Sequence, residues 1–209
     1  GREDNSTYKE TFNGYQMMSG HQMPDGIDPY VIPGVAHSGL LPGVSDAKPL
    51  STGQGNKMVQ AYNYRVCLTT DKNNSIPLPK PAVYDTTLYE LLARIYAKYP
   101  NYGWWQTFIC HFMPNQKTDI NHKGGFSTDW IGMNWHYAEA DYITRKKFDE
   151  DLKNYTLGLF YFVANSSRVP KAIREEMQKF GLPKDEYEAY GNFSPQVYVR
   201  EARRMIGEV

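Results

Sequence analysis

Residues 58–69 alternate with a period of two. Tyr62, Tyr64, Val66 and Leu68 fall on one side of an extended chain, and Asn63, Arg65 and Cys67 on the other. Successive side chains of a strand point to opposite faces, so this pattern predicts a β-strand with one buried face. A helix would scatter the same apolar residues around its axis. The segment therefore commits the chain to a sheet, and it sets an amide and a guanidinium side by side on one face. Arg65 there is either an arginine reaching solvent from an edge strand or an anchored fork for a carboxylate, phosphate or carbonyl group.

Helical periodicity follows. The prolines at 77, 79 and 81 make a stiff extended link, after which Asp85 is placed to cap a helix. Leu88, Leu91, Leu92, Ile95, Tyr96 and Tyr99 then recur at i, i+3, i+4, i+7, i+8 and i+11, an amphipathic stripe that Pro100 ends. A long helix is expected over residues 144–165, with Phe148, Leu152, Tyr155, Leu159 and Phe162 on one side. A shorter one is expected from Pro170, through Ile173, Met177 and Phe180, to Gly181. Further strands are expected at residues 7–15, near 30–32, over 104–112 and from 196 onward. Residues 1–57 carry many Gly and Pro turn signals, and 39–55 reads as a long surface excursion.

These readings give an α+β fold. Its sheet is mixed or mainly antiparallel, with about three substantial helices packed against it and a loop-rich N-terminal region. At 209 residues the chain reads as one domain with room for a real core. Lys plus Arg and Asp plus Glu number 23 each, so no basic surface for nucleic acid or anionic membrane is expected. No apolar run is long enough to span a bilayer. The chain begins Gly-Arg-Glu rather than with Met, so it is expected to be a processed chain or an excised piece. The compartment, cytoplasm or periplasm, is left open. Cys67 and Cys110 sit in strand-like runs and read as buried free thiols. A disulfide between them would need neighbouring strands, and their spacing carries no metal motif.

Residues 114–129, PNQKTDINHKGGFSTD, pack amides, hydroxyls, charges and a histidine with little that is apolar. They read as a polar loop leaving a strand, the place where ligand chemistry usually sits.

Several segments in order resemble one family. They are residues 62–69 (YNYRVCLT), 76–81 (IPLPKP), the PNxKTDxN stretch from Pro114, 157–162 (LGLFYF), 181–186 (GLPKDE) and 198–205 (YVREARRM). Together they resemble the middle portion of bacterial FAD-dependent oxidoreductases sometimes labelled xanthan-lyase-like. The resemblance implies hydride transfer between a substrate and flavin N5, with the FAD held mainly by a Rossmann-type domain bearing a GxGxxG turn. This chain has no such fingerprint: Gly53-Gln54-Gly55 is a lone GxG in a polar loop. The expectation is therefore a single substrate-binding domain over 1–209, or a fragment of a larger flavoprotein, inactive alone and not retaining FAD. Its partners would be the remaining FAD-binding domain of the same polypeptide and a small-molecule substrate, a sugar or sugar acid. Two separated cysteines cannot supply an iron–sulfur cluster.

Within that reading His122 is the candidate acid/base, with Lys117 and Asp119 as an orienting pair. Arg65 and Asn63 are candidates for the cofactor, and Asn121, Arg200 and Arg203 for substrate. Each has a plainer alternative: a solvent-exposed histidine at 122, and a loop-stabilising turn and ion pair at 117 and 119. The competing function is a carbohydrate-binding or carbohydrate-active module without flavin chemistry. Trp104, Trp105, Trp130, Trp135 and the 17 tyrosines would then stack on sugars.

Overall fold

The computed structural model describes residues 3–17 and 22–200. In chain order the helices are α1 (Asn5–Tyr8), α2 (Glu90–Lys98), α3 (Trp104–Thr107), α4 (Tyr142–Asn165) and α5 (Lys171–Met177). The strands are β1 (Asn63–Tyr64), β2 (Val66–Thr69), β3 (Ser75–Pro77), β4 (Phe108–Met113), β5 (Lys117–His122), β6 (Gly181–Pro183) and β7 (Val197–Tyr198). Five strands form one sheet in the order β3-β6-β2-β5-β4, and β1 pairs with β7 in a second. Every pairing among these strands is antiparallel. The fold is α+β, as the two periodicities require.

One face of the larger sheet is core. Val66 and Leu68 of β2, Ile120 of β5 and Phe108 of β4 are fully buried, together with Leu92 and Ile95 of α2 and Leu152, Leu159 and Phe160 of α4. Both predicted helical stripes are the buried faces of their helices. Asp141 caps α4 by accepting from the Thr144 amide at 2.7 Å, and Asp85 caps the turn before α2 by accepting from the Thr87 amide at 2.9 Å. At Gly158 α4 runs against Tyr89: a Cβ there would sit 2.1 Å from the Tyr89 hydroxyl.

The tyrosines are largely interior, and each buried hydroxyl has a partner, which is what makes Tyr tolerable in a core. Tyr89 donates to the Tyr155 carbonyl at 3.0 Å, Tyr155 to the Ser127 carbonyl at 2.8 Å and Tyr64 to the Asp149 carbonyl at 3.1 Å. Trp104 stacks on Phe180 with centroids 5.4 Å apart, and Trp130 on Tyr155 at 5.2 Å. Trp105 is the exposed one of the four.

Several expected elements differ. Residues 7–15 are not a strand: the Asp4 side chain accepts from the Ser6 amide at 3.0 Å and starts α1, a single helical turn that Lys9 ends at φ 57°. Near residue 30 there is only one bridge, Tyr30 to Leu40. The strand expected from 104 begins at Phe108, because the Gln106 side chain accepts from the Gly103 amide at 2.9 Å and closes a turn of helix first. The strand of 58–69 is confined to β1 and β2, interrupted at Arg65. The polar loop is the largest correction. Its residues 117–122 are strand β5, and only Pro114-Asn115-Gln116 form the turn from β4, with Asn115 and Gln116 in the left-handed region at φ 61° and 57°. Cys67 and Cys110 are free thiols on β2 and β4, which β5 separates. Burial pushes Cys67 up and Cys110 up to about 11, so neither is activated.

Candidate functional site

The face of the sheet away from the core is polar. In the antiparallel register Cys67 lies opposite Asp119, and Asp119 opposite His111, so Lys117, Asp119 and Asn121 project together from β5. Asn63 and Arg65 project toward that same face, as their spacing predicts: Asn63 bonds Asn121 and Arg65 bonds Asp119.

Arg65 holds Asp119 as a fork. Its Nε donates to Oδ1 at 2.9 Å and its Nη2 to Oδ2. The Asp119 carboxylate raises Arg65 above its ordinary value, and Tyr198 lies beneath the guanidinium at 5.9 Å. The expected pairing of Lys117 with Asp119 is therefore not formed. Lys117 donates instead to Asp185 at 2.9 Å and to Glu186, whose carboxylates hold its ammonium above the usual range, Glu186 most. Residues two apart on a strand are parallel neighbours, and each of these found a partner across the sheet that is closer.

A second cluster closes the end of β5. Asn63 is fully buried. Its amide donates to Asn121 Oδ1 at 2.8 Å and to Thr128 Oγ1 at 3.2 Å, and its own carbonyl accepts from Arg200 Nη2 at 3.1 Å. Arg200 Nη1 donates to Asp129 Oδ1 at 2.8 Å and to the Ala61 carbonyl. Arg200 Nη2 also lies 2.8 Å from His122 Nδ1. The Asn121 side-chain oxygen accepts from the His122 amide at 2.9 Å and is 2.9 Å from the ring nitrogen. The side chains of Arg200 and Asp129 are only 9% and 12% exposed, which makes this a nearly dry ion pair rather than a surface one. His122, Asn121, Asn63 and Arg200 are thus brought together. Arg65 and Asp119 sit beside them, and Lys117 belongs to a separate acidic cluster. Arg203 lies outside the described residues. Thr128 and Asp129 were missed as site residues, although the polar stretch ending Ser127-Thr128-Asp129 carried the signal.

Two concavities stand out. Asp129 lines a small one of about 50 Å³ with Phe126, Trp130 and Tyr155. A larger cleft of about 720 Å³ lies between the 31–42 loop, the start of α2 and the end of α4, and shares no lining residue with the polar cluster. Among the described residues no three His, Cys, Asp or Glu side chains are placed to hold a metal ion, and no helix is long and apolar enough to cross a membrane.

The chain belongs to the family described as FAD dependent oxidoreductase, whose model matches residues 1–209. No curated protein and no solved structure matches it. The Rossmann way of holding a dinucleotide uses a parallel strand–turn–helix unit whose glycines leave room for the pyrophosphate. The described pairings are all antiparallel. The space over Gly53 is filled by the Asn5 side chain, 2.2 Å from where a Cβ would stand. The described residues therefore form no Rossmann-type phosphate turn at Gly53.

Proposed function

We propose that this chain is the substrate-side portion of an FAD-dependent oxidoreductase, a single domain that works with a separate Rossmann-type domain of the same polypeptide. The reaction is hydride transfer between a small-molecule substrate and flavin, and the substrate class is a sugar or sugar acid. One observation carries the reading. Polar groups from four separate segments, Asn63, Asn121 with His122, Thr128 with Asp129, and Arg200, converge at one end of the sheet, while the loop bearing the lone GxG is packed by its own chain. A fixed set of donors and acceptors on rigid strands suits orientation of a substrate, with the cofactor supplying the redox chemistry. The carbohydrate-module alternative is weakened by the burial of Trp104 and the stacking of Trp130 on Tyr155, which leave little of an aromatic platform.

The test is flavin retention. The purified chain, incubated with FAD and desalted, is expected to elute colourless, while the full-length protein elutes yellow. Stoichiometric yellow flavin on the chain alone would overturn the substrate-side reading.

A further inference from the structure

We infer that the cleft between the 31–42 loop, the start of α2 and the end of α4 is a second binding site, separate from the polar cluster, and that it takes a small carboxylate with an apolar body. Arg168 receives the carboxylate and the loop receives the body. The inference goes beyond the substrate-side reading and does not depend on it. At about 720 Å³ the cleft has the size of sites that hold small molecules. Its two sides differ in chemistry. Val31, Pro33, Leu40 and Pro42 line one with aliphatic groups, and Thr86, Ser167 and Arg168 bring hydroxyls and charge to the other.

Arg168 is held but not used up. A guanidinium carries five N–H donors in a planar fork. Glu90 takes one hydrogen from Nη1 and one from Nη2, the latter at 3.1 Å. The parallel pair on the other edge, Nε–H and the second Nη2 hydrogen, has no partner among the described residues, and the side chain is 49% exposed. Such a pair matches the two oxygens of a carboxylate. The charge count agrees: two guanidiniums, Arg94 and Arg168, line the cleft against the one carboxylate of Glu90. Asp28, 3.3 Å from Arg94, does not line it.

Both sides are set before a ligand arrives. Arg94 donates to the carbonyls of Asp28 at 2.9 Å, Tyr30 at 2.7 Å and Val31 at 3.2 Å, which pins the loop to α2. It also donates to Glu90 at 2.8 Å, so one carboxylate ties the loop's anchor to Arg168. Burial opposes ionisation of Glu90, but Arg168 and Arg94 hold its carboxyl below the ordinary value. The tie therefore persists at neutral pH. The aliphatic wall offers no hydrogen bond to a hydroxylated body, so an apolar one is favoured there.

The test is titration of the ¹⁵N-labelled chain with hexanoate at neutral pH. Amide signals of residues 31–42, 86–90 and 166–168 should shift saturably, and those of 117–122 should not. Hexanamide keeps the body without the charge, and gluconate keeps the charge on a hydroxylated body; each should bind more weakly by about tenfold or more. Arg168→Gln should weaken hexanoate by about tenfold or more. Val31→Asp, at a side chain 49% exposed, sets a like charge on the wall and should also weaken binding, with the thermal melt unchanged. No saturable shift, shifts centred on 117–122, equal binding of hexanamide or gluconate, or undiminished binding by Arg168→Gln would overturn the site. If Arg168→Gln does not fold, Val31→Asp decides. Flavin retained by the chain would sink the substrate-side reading and leave this site standing.

Discussion

Arg65 and Asp119, side by side on β2's approach and β5, are joined by a two-point fork: Nε on Oδ1 at 2.9 Å and Nη2 on Oδ2. Their side chains are 39% and 32% exposed, so water screens the pair and its share of stability should be at most about 1 kcal/mol. Arg65→Lys keeps the charge but not the planar fork. Chemical denaturation of the chain should show a loss of less than about 1 kcal/mol. In the larger flavoprotein proposed above, if the fork orients ligand, KM for substrate or flavin should rise several-fold. Unchanged kinetics would leave Arg65 a brace between strands.

The hydrophobic side of the sheet makes a larger demand. Leu92 of α2 and Leu159 of α4 are both fully buried. Truncating either to Ala removes methyl groups and leaves a cavity, at about 2–5 kcal/mol. Thermal melts of Leu92→Ala and Leu159→Ala should each shift down accordingly. A melt unchanged in both variants would mean that the core is assembled differently.

How much of this was legible follows from range. The helical stripes were readable because their residues repeat locally: Leu88 to Tyr96 and Leu152 to Phe162 need no knowledge of the rest of the chain. Asn63 and Arg65 were readable as face-mates for the same reason. Strand β5 was not. Its inward side chains are Thr118 and Ile120, only one of them apolar, and its outward ones are Lys117, Asp119 and Asn121, so the alternation passed for a polar loop. The partners of Lys117 and Asp119 were hidden too, since Arg65 is 54 positions away and Glu186 is 69. Only the register of the sheet brings them together.

Gly158 tests the close approach of α4 to the turn before α2. Its missing Cβ leaves space for the Tyr89 hydroxyl, which would otherwise lie 2.1 Å away. That hydroxyl is pinned by its 3.0 Å bond to the Tyr155 carbonyl. Gly158→Ala gains helix propensity but overpacks the contact, with an expected net loss of about 1–3 kcal/mol. Combining it with Tyr89→Phe removes the clashing oxygen and should recover part of the loss in urea titrations. Simple additivity of the two single losses would argue against direct contact.

Asp149 on α4 gives the clearest pH signature. Its Oδ1 is buried without a hydrogen-bond partner among the described residues. Burial raises its carboxyl above the usual value, and the hydrogen bond to Tyr137 and the charge of Arg145 only partly oppose this. Tyr137 is itself pushed up to about 12, by burial first and by Asp149 next, so it remains a donor throughout the accessible range. A carboxyl whose folded pKa is raised favours the fold in its neutral form. Its contribution is fully present below the unfolded value of about 3.9 and is lost as pH rises through the folded value. At neutral pH Asp149 is therefore a charge that the fold holds at a loss. Asp149→Asn keeps the shape and an acceptor for Tyr137 without the charge. Urea unfolding at pH 7 should find the variant more stable than the native chain, and the difference should vanish once the pH falls below the unfolded value. A variant less stable at pH 7 would mean that the ionised Asp149 is stabilised by Arg145 more than burial opposes it.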